Sequence, residues 1–205
     1  VENETPMRLT FEAQGMSSRR NLGPDHVVGM QGVPTGVLPL PSRSAQVRAL
    51  LGLQLDRPFH RDSAFLWLVA LGPMAWLLMI RGMAFQPLPW HVIWSAAFLS
   101  VALWQPLFEE LLFRGVIQGY MLQSMRKLNT WSGLSLANLL TSLLFTMAHL
   151  ASHSISWSLL VFIPSLCFGF IRDRFGSVYP AIVLHALYNA GYFLLTGGAT
   201  LLNSR

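Results

Sequence analysis

Between Leu128 and Ile171 the chain runs for 44 residues without a single Asp, Glu, Lys or Arg. At about 1.5 Å of rise per helical residue, that is enough to cross a hydrocarbon core roughly 30 Å thick twice. Nothing in an ordinary soluble domain calls for such a stretch. The whole chain agrees, with 53% hydrophobic and 11% charged residues and a mean hydropathy of +0.46. We therefore read a membrane protein. The expected fold class is all-α, a polytopic transmembrane helix bundle of about five to six membrane segments.

Charge divides the sequence in two. Residues 1–62 hold 13 of the 23 acidic and basic side chains, together with Pro6, Pro24, Pro34, Pro39, Pro41 and Pro58. Without a sustained apolar period they read as a flexible, cytoplasmic N-terminal tail, with a short amphipathic piece from Ala45 to Leu55 suited to a membrane surface. The membrane domain is 63–205. Its first span is Ser63 to Ile80, closed by Arg81. A second apolar segment, Trp90 to Gln105, precedes Pro106, which is expected to start or kink the next helix because proline lacks an amide donor. That helix runs to about Met125. The long uncharged run breaks naturally at Ala151-Ser152-His153-Ser154, Arg172-Asp173-Arg174 reads as a charged turn, and Val178 to Leu195 is the last span. With the tail inside, a five-span layout puts Arg126, Lys127, Arg172 and Arg174 inside as well, as the positive-inside rule asks. Counting the Pro106 helix as an extra span would move those four bases outside.

The net charge of +5 does not indicate nucleic acid, since the bases are scattered at segment ends rather than gathered into a patch. Cys167 has no second cysteine to pair with and reads as packing. No basic-then-apolar start with a small-residue cleavage site opens the sequence, so a secretory signal peptide is not expected.

Against this apolar background three polar clusters stand out. In Phe108-Glu109-Glu110-Leu111-Leu112-Phe113-Arg114 two carboxylates and a guanidinium enter the membrane domain together. On a helix Glu110 and Arg114 face each other and neutralise one another, whereas Glu109 points about 100° away without a partner. Asn138, Ser142, Phe145 and His149 share one face of the following helix. His185 and Asn189, extended by Tyr188 and Tyr192, share a face of the last. Polar groups are costly against lipid, so all three clusters are expected to face the interior.

An unpaired carboxylate, two imidazoles and a carboxamide suit water activation. A glutamate in a low-dielectric site serves as general base, a histidine relays its proton, and Asn and His donors stabilise the oxyanion of an attacked carbonyl. Plainer duties stand beside this. Glu110 with Arg114 braces the helix, Asn189 can join two helices, His91 and His153 suit an interface, and Gly115 with Gly119 is a close-packing pair. Glu109, His149 and His185 are also a legitimate zinc set with one open position for water, though without HExxH spacing.

The motifs Glu109-Glu110-x-x-x-Arg114, Phe145-x-x-x-His149 and His185-x-x-x-Asn189, in this order on apolar helices, resemble the CPBP family of intramembrane proteases. That family includes CAAX prenyl endopeptidases and bacteriocin-processing proteins. The resemblance covers roughly 106–189 and implies a peptidase of the glutamic type in a multi-pass protein of the bacterial inner membrane. By position, Glu109 and His149 would activate the water, His185 and Asn189 would stabilise the oxyanion, and Glu110 and Arg114 would support them. The glutamic reading needs no cofactor; members have also been described as metalloproteases, which keeps zinc open. The implied partners are the lipid bilayer and a membrane-anchored protein or peptide substrate. The compact domain argues against a prenylated one. Phe162-Ile163-Pro164-Ser165 and the Arg172 turn are similar to small bacterial sorting proteases that remove C-terminal anchor segments. The alternatives from another class are a bacteriocin-immunity protein that binds a peptide without cutting it and a proton-coupled transporter. A transporter usually has more spans and two related halves.

Overall fold

The computed structural model of the protein describes residues 42–82, 85, 87–125 and 133–197. Residues 1–41 and Arg126-Lys127, where the sequence places the flexible tail and the end of the Pro106 helix, lie outside the described residues. Six helical rods and no strand are found among the described residues: α1 (Arg43–Leu51), α2 (Ser63–Gly82), α3 (Ala96–Ser124), α4 (Leu136–His149), α5 (Ile155–Phe175) and α6 (Tyr179–Thr196). The all-α membrane bundle is thus present. α3 and α5 are long and apolar enough to cross a bilayer; the apolar parts of α2 and α4 are shorter.

Side-chain caps set most of the helix starts. Ser42, Asp62, Ser95, Ser135 and Ser154 each accept a backbone N–H of the first turn of the helix that follows. Each satisfies one of the donors a helix leaves unpaired at its N-terminus. Gly52 (φ 66°) and Gly176 (φ 64°) close α1 and α5 in the left-handed region, where a side chain would be strained. Arg172, Asp173 and Arg174 are therefore not a turn but the last helical turn of α5, and Gly176 makes the reversal.

Pro106 does not start a separate helix; it lies inside the 29-residue α3. Wide π turns at Ser100–Trp104 and Leu111–Gln118 flank the α-helical piece that carries it. Such turns absorb a missing donor and recur at functional sites. In the first of them the Gln105 N–H bonds the Ser100 carbonyl five residues back. By the same step the partner of the Val101 carbonyl would be residue 106, which has no N–H. Asn189 of α6 supplies the donor instead, its Nδ2 lying 3.0 Å from the Val101 oxygen.

The alternation of α and π turns also keeps four-residue spacings in line along α3, because the step that runs ahead in one lags in the other. Pro106, Glu110, Arg114 and Gln118 are all buried; Trp104, Phe108, Leu112, Val116 and Tyr120 are all exposed. α5 packs on the buried line in parallel, Arg114 bonding Ser165 and Gln118 bonding the Gly169 carbonyl. α4 is locked to α5 where Asn138 Nδ2 donates to the Leu166 carbonyl. A Cβ on Gly169 would lie 1.8 Å from the Asn138 Oδ1, so glycine is what admits the approach. The apolar core joins α2, α5 and α6 through Phe65, Phe168, Ile171, Phe175, Ala181 and Leu184.

The stretch 42–62, grouped with the tail on composition, contacts this bundle. A Cβ on Gly115 or Gly119 would meet the Leu51 or Leu50 carbonyl at 3.3 or 2.2 Å. The close-packing glycines of α3 thus receive the C-terminal carbonyls of α1. Asp62 forms a two-oxygen ion pair with Arg174, closest at 2.8 Å.

Candidate active site

α3 brings its carboxylates in near its midpoint, and the one-residue offset sends them to different environments. Glu110 is fully buried. Its Oε2 lies 3.1 Å from the Arg114 Nε, the facing pair expected from the four-residue spacing. Its Oε1 lies 2.9 Å from Nδ1 of His185 on α6. Arg114 gives Nη2 to Ser165 Oγ at 2.8 Å and stands over the Phe145 ring, 5.4 Å from Cζ to centroid.

Glu109 keeps 21% of its side chain exposed. Its Oε1 accepts from Gln105 Nε2 at 2.8 Å, and its Oε2 lies 3.7 Å from Nε2 of His185. One imidazole therefore stands between two neighbouring carboxylates. It is stacked on Phe168, with centroids 4.6 Å apart and planes 17° from parallel, and Phe145 meets it edge-on at 6.0 Å. The Glu110 carboxylate accepts, so Nδ1 of His185 donates, and the ring turns its Nε2 toward Glu109.

His149 reaches the same region by way of Phe145, whose ring lies 4.4 Å from its own. Its Nδ1 lies 2.9 Å from the Phe145 carbonyl. A carbonyl only accepts, so here too Nδ1 donates and Nε2 is left as the acceptor. The shared helix face from the sequence appears as a ladder: Ser142 Oγ bonds the Asn138 Oδ1 at 3.1 Å, and Asn138, Ser142 and Phe145 are buried. Of the last cluster, Asn189 holds the Val101 carbonyl, Tyr188 donates to the Leu68 carbonyl of α2, and Tyr192 packs on Trp157.

Glu109, Glu110, Arg114 and His185 are thus in direct contact, while His149 and Asn189 are tied to neighbouring backbone carbonyls. Among the described residues no three His, Cys, Asp or Glu side chains converge as metal ligands would. Glu109, His149 and His185 accordingly share no such arrangement. Two participants were missed from the sequence. Gln105 is four residues before Glu109, and that spacing could have found it. Phe168 carries no local signal, because its partner comes from another helix. Ser165 stood out only as part of the 162–165 motif, without its bond to Arg114.

The family described as Rce1-like, type II CAAX prenyl endopeptidase, has a model that matches residues 89–191. That range is half of the chain and holds Glu109, Glu110, Arg114, His149, His185 and Asn189. Comparison with curated proteins returns no match, and neither does comparison with solved structures.

Proposed function

The chain belongs to the type II CAAX prenyl endopeptidase Rce1-like family, and on that premise we propose that Glu109 activates the water with which it hydrolyses a peptide bond. Membership makes it a CAAX-type membrane peptidase acting on a membrane-associated peptide.

One observation carries it. Of two adjacent carboxylates, Glu110 is sealed in and bonded through both oxygens, whereas Glu109 stays partly open between the Gln105 amide and Nε2 of His185. A carboxylate with only a bracing duty gains nothing from that exposure. Glu109 takes one proton from water while the remaining O–H donates a hydrogen bond to His149 Nε2, and the hydroxide oxygen adds to the peptide carbonyl carbon. The proton passes from Glu109 to His185 Nε2. The resulting imidazolium, with the second amide hydrogen of Asn189, faces the oxyanion. When the C–N bond breaks, the proton goes to the leaving nitrogen and both groups return to their starting states. Glu110 with Arg114 holds the His185 ring in place throughout.

The substrate we propose is a membrane-anchored protein cut near a C-terminal anchor segment. α3 has 29 residues, about 43 Å at the helical rise, and Glu109 lies close to its middle. A peptide bond reaches that depth when the segment bearing it enters the bilayer. The test is mass spectrometry of membrane-anchored proteins from cells carrying wild type or Glu109→Gln. A partner shortened at one bond only with wild type supports the reading. Partners left uncut in both strains yet co-purifying with both proteins would replace catalysis with binding.

A further inference from the structure

At the end of the bundle where α3 and α5 finish, a cavity of about 490 Å³ opens beside α1, lined by Ala49, Leu50, Gly119, Gln123 and Arg172 among others. Its wall contains a buried charge with no carboxylate in contact among the described residues. Arg172 is only 3% exposed. Its Nε donates to the Arg114 carbonyl at 3.2 Å and its Nη2 to the Leu50 carbonyl at 2.9 Å. Carbonyls satisfy hydrogens but carry no net charge, and a guanidinium this far from water is ordinarily paired with an anion. Among the described residues no carboxylate lies within ion-pair distance of it. Asp173, next in the chain, acts on it only through space, its Oδ1 being taken by the Gln118 amide at 2.7 Å.

The backbone around this cation is kept bare. A Cβ on Gly52 would lie 2.6 Å from Arg172 Cζ, and one on Gly119 2.2 Å from the Leu50 oxygen. Arg48, exposed in the last turn of α1, is a second cation on the helix that forms one wall. The position matters as much as the charge. α3 and α5 are the two helices long and apolar enough to cross a bilayer, and the cavity lies at their last turns, the level at which lipid headgroups meet water. Basic pockets there suit phosphate groups.

We propose that this cavity is a binding site for the phosphate group of an anionic phospholipid, with Arg172 as its counter-charge. The site stands independently of the peptidase reading. It is also wired toward the catalytic residues, since the Arg172 Nε bonds the carbonyl of Arg114, whose side chain pairs with Glu110.

The test uses the full chain purified in neutral detergent. It compares phosphatidylglycerol with phosphatidylcholine by native mass spectrometry and by the shift in unfolding temperature. Wild type is expected to retain phosphatidylglycerol preferentially and to be stabilised by it. Gln123→Glu and Ala49→Glu each place a carboxylate at the cavity and should lower that preference about fivefold, the factor one charge near a membrane surface carries. Ser44→Glu, on the exposed N-terminal end of α1, makes the same charge change away from the cavity and should leave the preference in place. Should Ala49→Glu fail to fold, Gln123→Glu alone decides. Equal retention of the two lipids by wild type, or an equal effect of all three substitutions, overturns the proposal. Stabilisation by inorganic phosphate as large as that by phosphatidylglycerol would overturn its lipid part and leave a small-anion site.

Discussion

The Glu110 Oε1 lies 2.9 Å from Nδ1 of His185 while its Oε2 lies 3.1 Å from Nε of Arg114. One sealed carboxylate thus braces its own helix and aims a histidine of another. The sequence spacing shows the first duty alone. Because Nδ1 is committed, the nitrogen that faces Glu109 is Nε2, and the two adjacent glutamates act on opposite edges of one ring.

Glu110→Gln keeps the shape and removes the charge, which strands the buried Arg114 guanidinium. Removing one partner of a buried pair costs about 3–5 kcal/mol. The expected outcome is a marked fall in unfolding temperature together with lost cleavage. If cleavage is lost at an unchanged unfolding temperature, orienting His185 is the main work of Glu110 and bracing Arg114 is secondary.

Glu109→Gln should separate the two properties. Its carboxylate is partly exposed and pairs with no arginine or lysine among the described residues, so the amide is accommodated at little cost. Loss of a general base lowers the rate by about 10²–10⁴-fold. Cleavage of a reporter peptide should fall by that factor while circular dichroism and the unfolding temperature stay near wild type. Full cleavage by the variant would remove the central role given to Glu109.

Asp62 ties the start of α2 to the end of α5, and its pairing gives a pH dependence outside the membrane. The Arg174 side chain that bonds Asp62 holds its carboxyl below the ordinary value of 3.8. A carboxylate whose pKa is depressed on folding stabilises the folded state above its unfolded pKa, and that contribution fades as pH falls through the folded pKa. Both partners are solvated, so the pair contributes only weakly. Asp62→Asn should therefore lower the unfolding temperature slightly at neutral pH and not at pH values well under 3.8. An equal difference at both pH values would mean that the charge of Asp62 is not what stabilises the fold.

Much of this was legible because the signals are local. The four-residue step from Glu110 to Arg114, the face shared by Asn138, Ser142, Phe145 and His149, and the break after His149 all follow from helix geometry and composition. What was not legible depends on partners distant in sequence. Pro106 reads as a boundary because proline removes a donor, yet α3 continues through it after a wide turn, with a donor borrowed from Asn189. Gly115 and Gly119 announce close packing without saying what approaches, and it is the carbonyl end of α1 that does. The stacking of Phe168 on His185 joins two helices, and no spacing within either one encodes it.

Asn189 separates a structural duty from a catalytic one. Its Nδ2 donates to the Val101 carbonyl, the acceptor that Pro106 leaves without its helical partner, so an alanine there unsatisfies a backbone group and costs about 1 kcal/mol. If that were all, a substrate-saturated rate measured well under the unfolding temperature would barely change. In the proposed site the second amide hydrogen of Asn189 faces the oxyanion, and losing one such donor lowers kcat by about 10²–10³-fold. Asn189→Ala should thus combine a small drop in unfolding temperature with a large loss in kcat at nearly constant KM. Asn189→Gln, with a longer amide, should recover neither. A kcat that falls only as far as the folded fraction falls would reduce Asn189 to the clamp that carries α3 past its proline.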